Sequence, residues 1–393
     1  GFVDQGTLPA AMVSRVAHRL LADPAVAQAS LQYGATMGFP PLREALLDRL
    51  CAADGHLRPR STVGISQVLV TAGSNQALFL VSEALLNPGD IVLCAAPTYF
   101  VYMGIVAHQG ARSLGVAADA DGMIPLALDD AFRQLERRGE LDRVKLVYVT
   151  SYFENPSGAT VSAARRGQLL DVVQRWSRNR TIYLLEDAAY RELRYAGQDL
   201  PSIWSHDSAG SRVIYAGTFS KSFSPGIRVG WVVLPSELVA PIHDLKGNYD
   251  FGSANFNQHL MHEVLLDGGY EAHVAQLIAH YRVKLVAMLE ALEEHLADVR
   301  GVQWRQPLGG LYVWLTLPEA IPAGEDGPLL QQALAKGVLY VPGEYCFAAE
   351  GAPAVRHAMR LSFGVQSPGR IREGIALLGE AVRSALAGTQ QAA

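Results

Sequence analysis

The sequence predicts an α/β domain built on a largely parallel sheet, joined to a smaller α+β domain. Two observations carry this. Between about residues 60 and 235, short apolar, β-rich runs alternate with helical patterns. Beyond about residue 250 the alternation gives way to a long helical stretch and a few short strands. A third observation refines the first. Thr218-Phe219 and Val229-Gly230-Trp231 lie too close together for a helical crossover, so the strand at 229–234 is expected to return antiparallel.

The strand runs are QVLVTA (67–72), DIVLCAA (90–96), KLVYVTS (145–151), TIYLLED (181–187), RVIYAGTF (212–219) and VGWVVL (229–234). Each is almost continuously apolar, the pattern of strands covered by helices on both faces. Helices are expected over Ser74–Leu86, Tyr99–Gln109 and Ala163–Asn179. The smaller domain reads as a helix from Asn257 to about Ala297, then a hairpin around Gly309-Gly310. A helix over Pro328–Lys336, the run VLYVPG, a strand at 359–364 and an amphipathic helix over Ile371–Ala385 follow. The first 32 or so residues show no strand pattern and are expected to pack beside this domain. The expected division is therefore 34–265 for the large domain, with 1–33 and 266–393 in the small one.

Composition narrows the function classes. The chain has 393 residues, enough for two domains at roughly 100–200 residues each. A net charge of −5 provides no basic footprint for nucleic acid and no polybasic membrane patch. No apolar run approaches the length of a membrane span, and the start lacks the pattern of a signal peptide, so a cytoplasmic protein is expected. Cys51, Cys94 and Cys346 are far apart and form no CxxC, which argues against a disulfide framework or a zinc site. His259, His262 and Glu263 share a helical spacing but lack an evident third ligand; they read as a polar helix face, and no metal is expected. Of 33 basic residues 28 are arginine, leaving five lysines as candidates for lysine chemistry.

The most informative stretch runs from Thr218 through Ser220 and Lys221 to Arg228, directly after a buried strand. A lysine there is desolvated, which lowers its pKa and makes it a usable nucleophile for Schiff-base chemistry. The two hydroxyls and the guanidinium suit a phosphate ester. In isolation, a serine-rich surface loop with a solvated lysine would read the same. Upstream, Gly73-Ser74-Asn75 ends one strand and opens a helix whose first N–H groups favour an anion, or is simply a serine cap. Asp187 ends the strand TIYLLED, where open α/β sheets place ligands, and Tyr190 follows it; a helix-capping aspartate is the alternative. Asn155 stands in the turn Asn155-Pro156-Ser157-Gly158 after another strand, and Tyr99 follows a further one, where it could stack on a ring or merely pack. Neither GxGxxG nor GxxxxGK occurs, which argues against dinucleotide and Walker-type sites. Taken together, five strand ends present phosphate donors, a stacking ring, an amide, a carboxylate and a lysine. The ligand they describe is a phosphorylated, electron-poor aromatic ring with a carbonyl for Lys221: pyridoxal 5′-phosphate.

In order and spacing, Asn155-Pro156-x-Gly158, Glu186-Asp187-x-x-Tyr190 and Ser220-Lys221-x6-Arg228 resemble the class I/II aminotransferases of pyridoxal-phosphate fold type I. The resemblance extends over almost the whole chain. It implies a mostly parallel seven-stranded sheet with one antiparallel strand in the large domain, plus the smaller α+β domain. By the same resemblance Lys221 forms the internal aldimine, Asp187 pairs with the ring nitrogen, and Asn155 and Tyr190 contact the ring oxygen. Tyr99 stacks on the ring, while Gly73, Ser74, Asn75, Thr218, Ser220 and Arg228 form the phosphate cup. The stretch from Tyr33-Gly34 to Leu42-Arg43-Glu44 matches one whose tyrosine reaches the phosphate of a neighbouring subunit, implying a homodimer with shared sites. Arg360 matches the arginine that grips the substrate α-carboxylate, and the loop at Gly6 matches the substrate loop more loosely. The detailed pattern is closest to the 2-aminoadipate and kynurenine aminotransferase branch. Glu154 stands where that branch commonly has Gln, and Ser157 where it has Thr.

The expected activity is transfer of an amino group from an L-amino acid to a 2-oxo acid, with 2-oxoglutarate the acceptor that the resemblance implies, in a ping-pong cycle. Two rivals share the scaffold: a C–S β-lyase, and a non-catalytic cofactor-sensing domain of a transcriptional regulator. The acidic charge and the early start of the fold speak against the regulator.

Overall fold

The computed structural model describes residues 2–57 and 62–392. Seven strands form the large sheet: β1 (Val68–Thr71), β2 (Ile91–Ala96), β3 (Arg112–Asp119), β4 (Val144–Thr150), β5 (Tyr183–Asp187), β6 (Val213–Thr218) and β7 (Gly230–Val233). Their order across the sheet is β1-β7-β6-β5-β4-β2-β3. The pairs β6/β5, β5/β4, β4/β2 and β2/β3 are parallel. β7 runs antiparallel to both neighbours, as its short connection to β6 requires. Every residue of β2, β5 and β6 is buried, consistent with helices on both faces.

The strand β3 was not among the apolar runs of the sequence, and the reason is physical. It lies toward the edge of the sheet, and only Leu114, Gly115 and Val116 are buried, so no continuous apolar run marks it. Two short pieces extend this edge: Gly122–Met123 folds back on β3, and Glu350–Gly351 from the C-terminal region pairs with it in parallel. The single long helix expected from Asn257 is two helices, Asn255–Leu266 and Gly269–Leu296. Gly268, at φ +70°, takes a left-handed conformation that ends the first, and the Asp267 carboxylate accepts the Gly269 N–H at 3.0 Å to start the second.

A second sheet holds four antiparallel strands: β8 (Gln303–Trp304), β9 (Tyr312–Thr316), β10 (Val341–Pro342) and β11 (Ala358–Ser362), in the order β10-β11-β9-β8. The turn between β8 and β9 docks on the loop after β5. Gly310 donates to the Leu193 carbonyl at 2.9 Å, and Tyr195 donates to the Leu308 carbonyl at 2.7 Å. This contact carries the start of β9 toward the carboxyl ends of β4 and β5. At the N-terminus, Asp4 accepts from Lys284 and from His280 and donates its own N–H to the Tyr281 hydroxyl at 3.0 Å. Residues 10–22 form a helix that buries Val16 and Leu20 in a cluster with Leu260, Val264 and Tyr270.

Candidate active site

β2, β4, β5 and β6 run parallel, and β1 runs parallel to β6 through the reversed β7, so all five carboxyl ends open on one edge of the sheet. Open α/β sheets bind ligands there. A cavity of about 240 Å3 occupies this edge. Ser74 and Asn75 after β1, Tyr99 after β2, Asn155 after β4, Asp187 and Tyr190 after β5, and Thr218, Ser220, Lys221 and Arg228 after β6 all line it. Arg360 on β11 closes it from the smaller sheet.

The floor is acidic. Asp187 is buried and accepts from the Tyr148 hydroxyl at 2.9 Å and from the Ala189 N–H at 3.1 Å. Burial raises its pKa, opposed by these two bonds and by Lys221. A cationic ring nitrogen would complete the charge balance that burial denies this carboxylate. Lys221 shows the converse. Burial, then Arg228 and Arg360, push its pKa down to about 8, with Asp187 opposing. Its amine is thus available as a base near neutral pH.

One end of the cavity is a cradle of donors. The helix Ser74–Leu85 begins after Gly73 with no side chain capping its first N–H groups. Gly73 takes φ +78°, and a Cβ there would lie 2.7 Å from the Arg228 guanidinium, so only glycine lets the two meet. Thr218 Oγ1 lies 3.0 Å from Ser220 Oγ beside them. An uncapped helix start, two hydroxyls and a guanidinium are a donor set for a phosphate dianion. With the floor carboxylate and the lysine, the residues present fit pyridoxal 5′-phosphate.

At the other end, Arg360 Nη1 donates to Asn155 Oδ1 at 2.8 Å. Its Nε is buried with no hydrogen-bond partner among the described residues. The guanidinium carbon sits 4.5 Å from the centre of the Tyr312 ring and 5.8 Å from that of Phe100. Tyr190 and Tyr312 share a hydroxyl contact of 3.1 Å.

Of the expected site residues, Gly6 lies elsewhere, and Tyr33, expected to reach a partner subunit's site, lies outside its own chain's cavity. Gly6 sits in the turn Gln5–Thr7, its N–H donated to Asp4 Oδ1 at 2.9 Å, and does not line the cavity. Tyr33 is 85% exposed, near Phe251, in a separate surface pocket formed by residues 31–34 and 250–255. His259 stacks on Phe39 with ring centres 3.8 Å apart, and His262 meets the same ring edge-on. Sequence reasoning missed Tyr148, Phe100 and Tyr312. Tyr148 looked like one more apolar residue of its strand, although a hydroxyl two positions before Thr150 shares that residue's face.

Glu154 and Ser157, both departures from the branch pattern, form one interaction: Ser157 Oγ donates to Glu154 Oε2 at 2.6 Å. Burial pushes the Glu154 pKa up to about 8 from its ordinary 4.5, against the opposing effects of Ser157 and Arg305. A folded-state pKa above the unfolded value stabilises the protein fully below the unfolded value and loses that stability as pH rises through the folded one. Stability is therefore expected to fall between about pH 4.5 and pH 8, by roughly 1.4 kcal/mol per unit. Glu154→Gln keeps an acceptor for Ser157 and should flatten this slope in urea unfolding. An unchanged slope would place the titrating group elsewhere.

The family "Aminotransferase class I and II" matches residues 4–376. The chain is 37% identical over 379 residues to "Aromatic-amino-acid aminotransferase 1" of Thermococcus litoralis, covering 96% of this chain and 85% of that protein. It is similar to the crystal structure of Pyrococcus horikoshii kynurenine aminotransferase in complex with PMP, with a TM-score of 0.88 and 34% identity over 98% of this chain and 89% of that one. A third likeness is to the α-aminoadipate aminotransferase of Thermus thermophilus, solved with N-(5′-phosphopyridoxyl)-L-leucine. Its TM-score is 0.84 at 32% identity, over 98% of this chain and 92% of that one.

Proposed function

The chain belongs to the class I and II aminotransferases, and from that premise we propose that it moves the amino group of an aromatic or apolar L-amino acid to a 2-oxo acid, with Lys221 as the catalytic base. It is a pyridoxal-phosphate-dependent transaminase. The observation that carries the residue assignment is the meeting of Lys221, Asp187 and Arg360, from three distant segments, in one cavity.

When bound, pyridoxal 5′-phosphate supplies an electron sink that stabilises negative charge at the amino acid's Cα. Ser74, Thr218, Ser220 and Arg228 hold its phosphate, and Asp187 keeps positive charge on its ring nitrogen. Arg360 takes the α-carboxylate through its terminal guanidinium nitrogens, with Asn155 fixing the plane of the guanidinium. Lys221 Nζ, largely unprotonated above its pKa of about 8, would take the Cα proton of the amino acid and hold it as an ammonium. Tyr190, whose hydroxyl meets that of Tyr312, would offer a hydrogen bond to the ring oxygen of the bound cofactor.

The donor class is supported by the walls. The cations among the described lining residues are Lys221, Arg228 and Arg360, and each already has a role. Phe100, Val101 and Tyr312 complete the lining with aromatic and apolar surface. The names of the Thermococcus and Pyrococcus proteins point to aromatic donors as well. For the acceptor, 2-oxoglutarate is the 2-oxo acid that the resemblance implies. A homodimer is supported by the exposed aromatic patch of Tyr33 and Phe251 beside Leu31, where Tyr33 lies apart from its own chain's cavity and so would serve a neighbour's. The cytoplasm is our proposed location. Its support is that the three buried cysteines form no disulfide; no described helix is long and apolar enough to cross a membrane.

The test is the absorbance spectrum of the holoenzyme with single amino acids and no acceptor. Phenylalanine or tyrosine should convert the cofactor band to that of the amine form, and glutamate in the acceptor's absence should do so more slowly. Pyruvate and ammonia released from a cysteine conjugate would instead identify a lyase. A band that no amino acid alters would identify a sensor.

A further inference from the structure

Lys246 is fully buried in the last turn of the helix Ser236–Asp250 and does not line the cavity. A buried ammonium is costly unless paired, and this one is. Its Nζ donates to both Asp250 oxygens, at 2.9 and 2.7 Å, and to Gln76 Oε1 at 3.2 Å. Gln76 completes the ring by donating its Nε2 to Asp250 Oδ2 at 2.7 Å. An ion pair with the partly exposed Asp250 would form without Gln76. The inclusion of Gln76 is what links this pair to the cavity.

Gln76 lies on the first turn of the helix that opens the phosphate cradle. Its Oε1 also accepts the Ala72 N–H at 2.7 Å. The carbonyl of the same Ala72 accepts from Arg228 Nη2 at 2.6 Å. One residue is therefore gripped at its N–H by the Lys246 network and at its carbonyl by a cradle arginine. The next residue is Gly73, whose left-handed turn sets where the uncapped N–H groups of Ser74 and Asn75 point.

We infer that Lys246, Gln76 and Asp250 are positioning residues for the phosphate cradle, holding the Ala72-Gly73 turn in its anion-binding shape. This rests on the phosphate-cup reading above. The effect is geometric rather than a long-range field, because the Lys246 charge is neutralised by Asp250 within hydrogen-bond distance. It should therefore act on the phosphate and leave the rest of the ligand alone.

The experiment compares two ligands on the cofactor-stripped full-length protein: pyridoxal 5′-phosphate, and pyridoxal, which lacks the phosphate. Both report through Lys221 by absorbance. In Lys246→Met, affinity for pyridoxal 5′-phosphate should fall about tenfold, as expected for loss of a charged hydrogen-bond network. Affinity for pyridoxal should stay within about twofold. Asp250→Asn, which keeps the shape and weakens the ion pair, should shift in the same direction by less, and it carries the test if Lys246→Met does not fold. Equal loss for both ligands would mean general destabilisation and would overturn the inference, as would no change for either. If the unmutated protein binds both ligands equally tightly, the phosphate cup itself is wrong, an outcome separate from the other two.

Discussion

Lys221→Ala is expected to yield a folded protein that still takes up pyridoxal 5′-phosphate but has lost transamination by at least about four orders of magnitude. The reasoning starts from position. Lys221 stands in the turn after β6 and is not part of a hydrophobic cluster, so its removal leaves the core intact. The phosphate cradle and the Asp187 floor do not depend on it, so the ligand retains two of its anchors. What disappears is the nucleophile and the base together. The cavity's other candidate bases are poor substitutes: Tyr190, Tyr99 and Tyr312 have pKa values raised by burial, and Asp187 lies on the floor, bonded to Tyr148. Steady-state assay of the purified variant, with the cofactor measured spectroscopically, decides this. Turnover near the normal rate would remove Lys221 from the mechanism. The unaltered protein adds a second check, since the rate of cofactor uptake by the stripped protein should rise with pH up to about 8.

Arg360→Gln is the second large effect, and it should appear mainly in KM. The guanidinium is the only described cation at that end of the cavity, and its Nη1 is held by Asn155. Losing a charge-assisted, bidentate contact in a desolvated site costs about 3–4 kcal/mol, which lowers kcat/KM by roughly two to three orders of magnitude. The glutamine amide ends near the position of Nε, too short for the bond that Nη1 makes to Asn155, so that bond is lost together with the charge. The control is an amine donor without an α-carboxylate. Such a donor should react slowly and equally with both proteins. A loss as large for the amine as for the amino acid would show that Arg360 supports the structure rather than the carboxylate.

Much of this site was legible in the sequence because its residues are local to strand ends. In a sheet of parallel strands each carboxyl end is a short segment, and a lysine, carboxylate or asparagine placed there stands out against the apolar run before it. Lys221, Asp187 and Asn155 were found this way, and all three line the cavity. The edge strand β3 escaped because its burial is too brief to mark it. Tyr148 escaped because an aromatic ring inside an apolar strand gives no sign that its hydroxyl is committed to Asp187.

The α/β architecture, the reversed strand and the chemical kinds of group at the five strand ends all follow from periodicity or from residues a few positions apart. Which distant partners meet follows from the packing of the folded chain. Arg360 reaches Asn155 across 205 positions, and Lys246 reaches Gln76 across 170. Contacts at such separations depend on how the turn at Gly309-Gly310 docks and how the helix Ser236–Asp250 lies against its neighbour. They are set by the packing of whole elements, which leaves no local pattern in the chain.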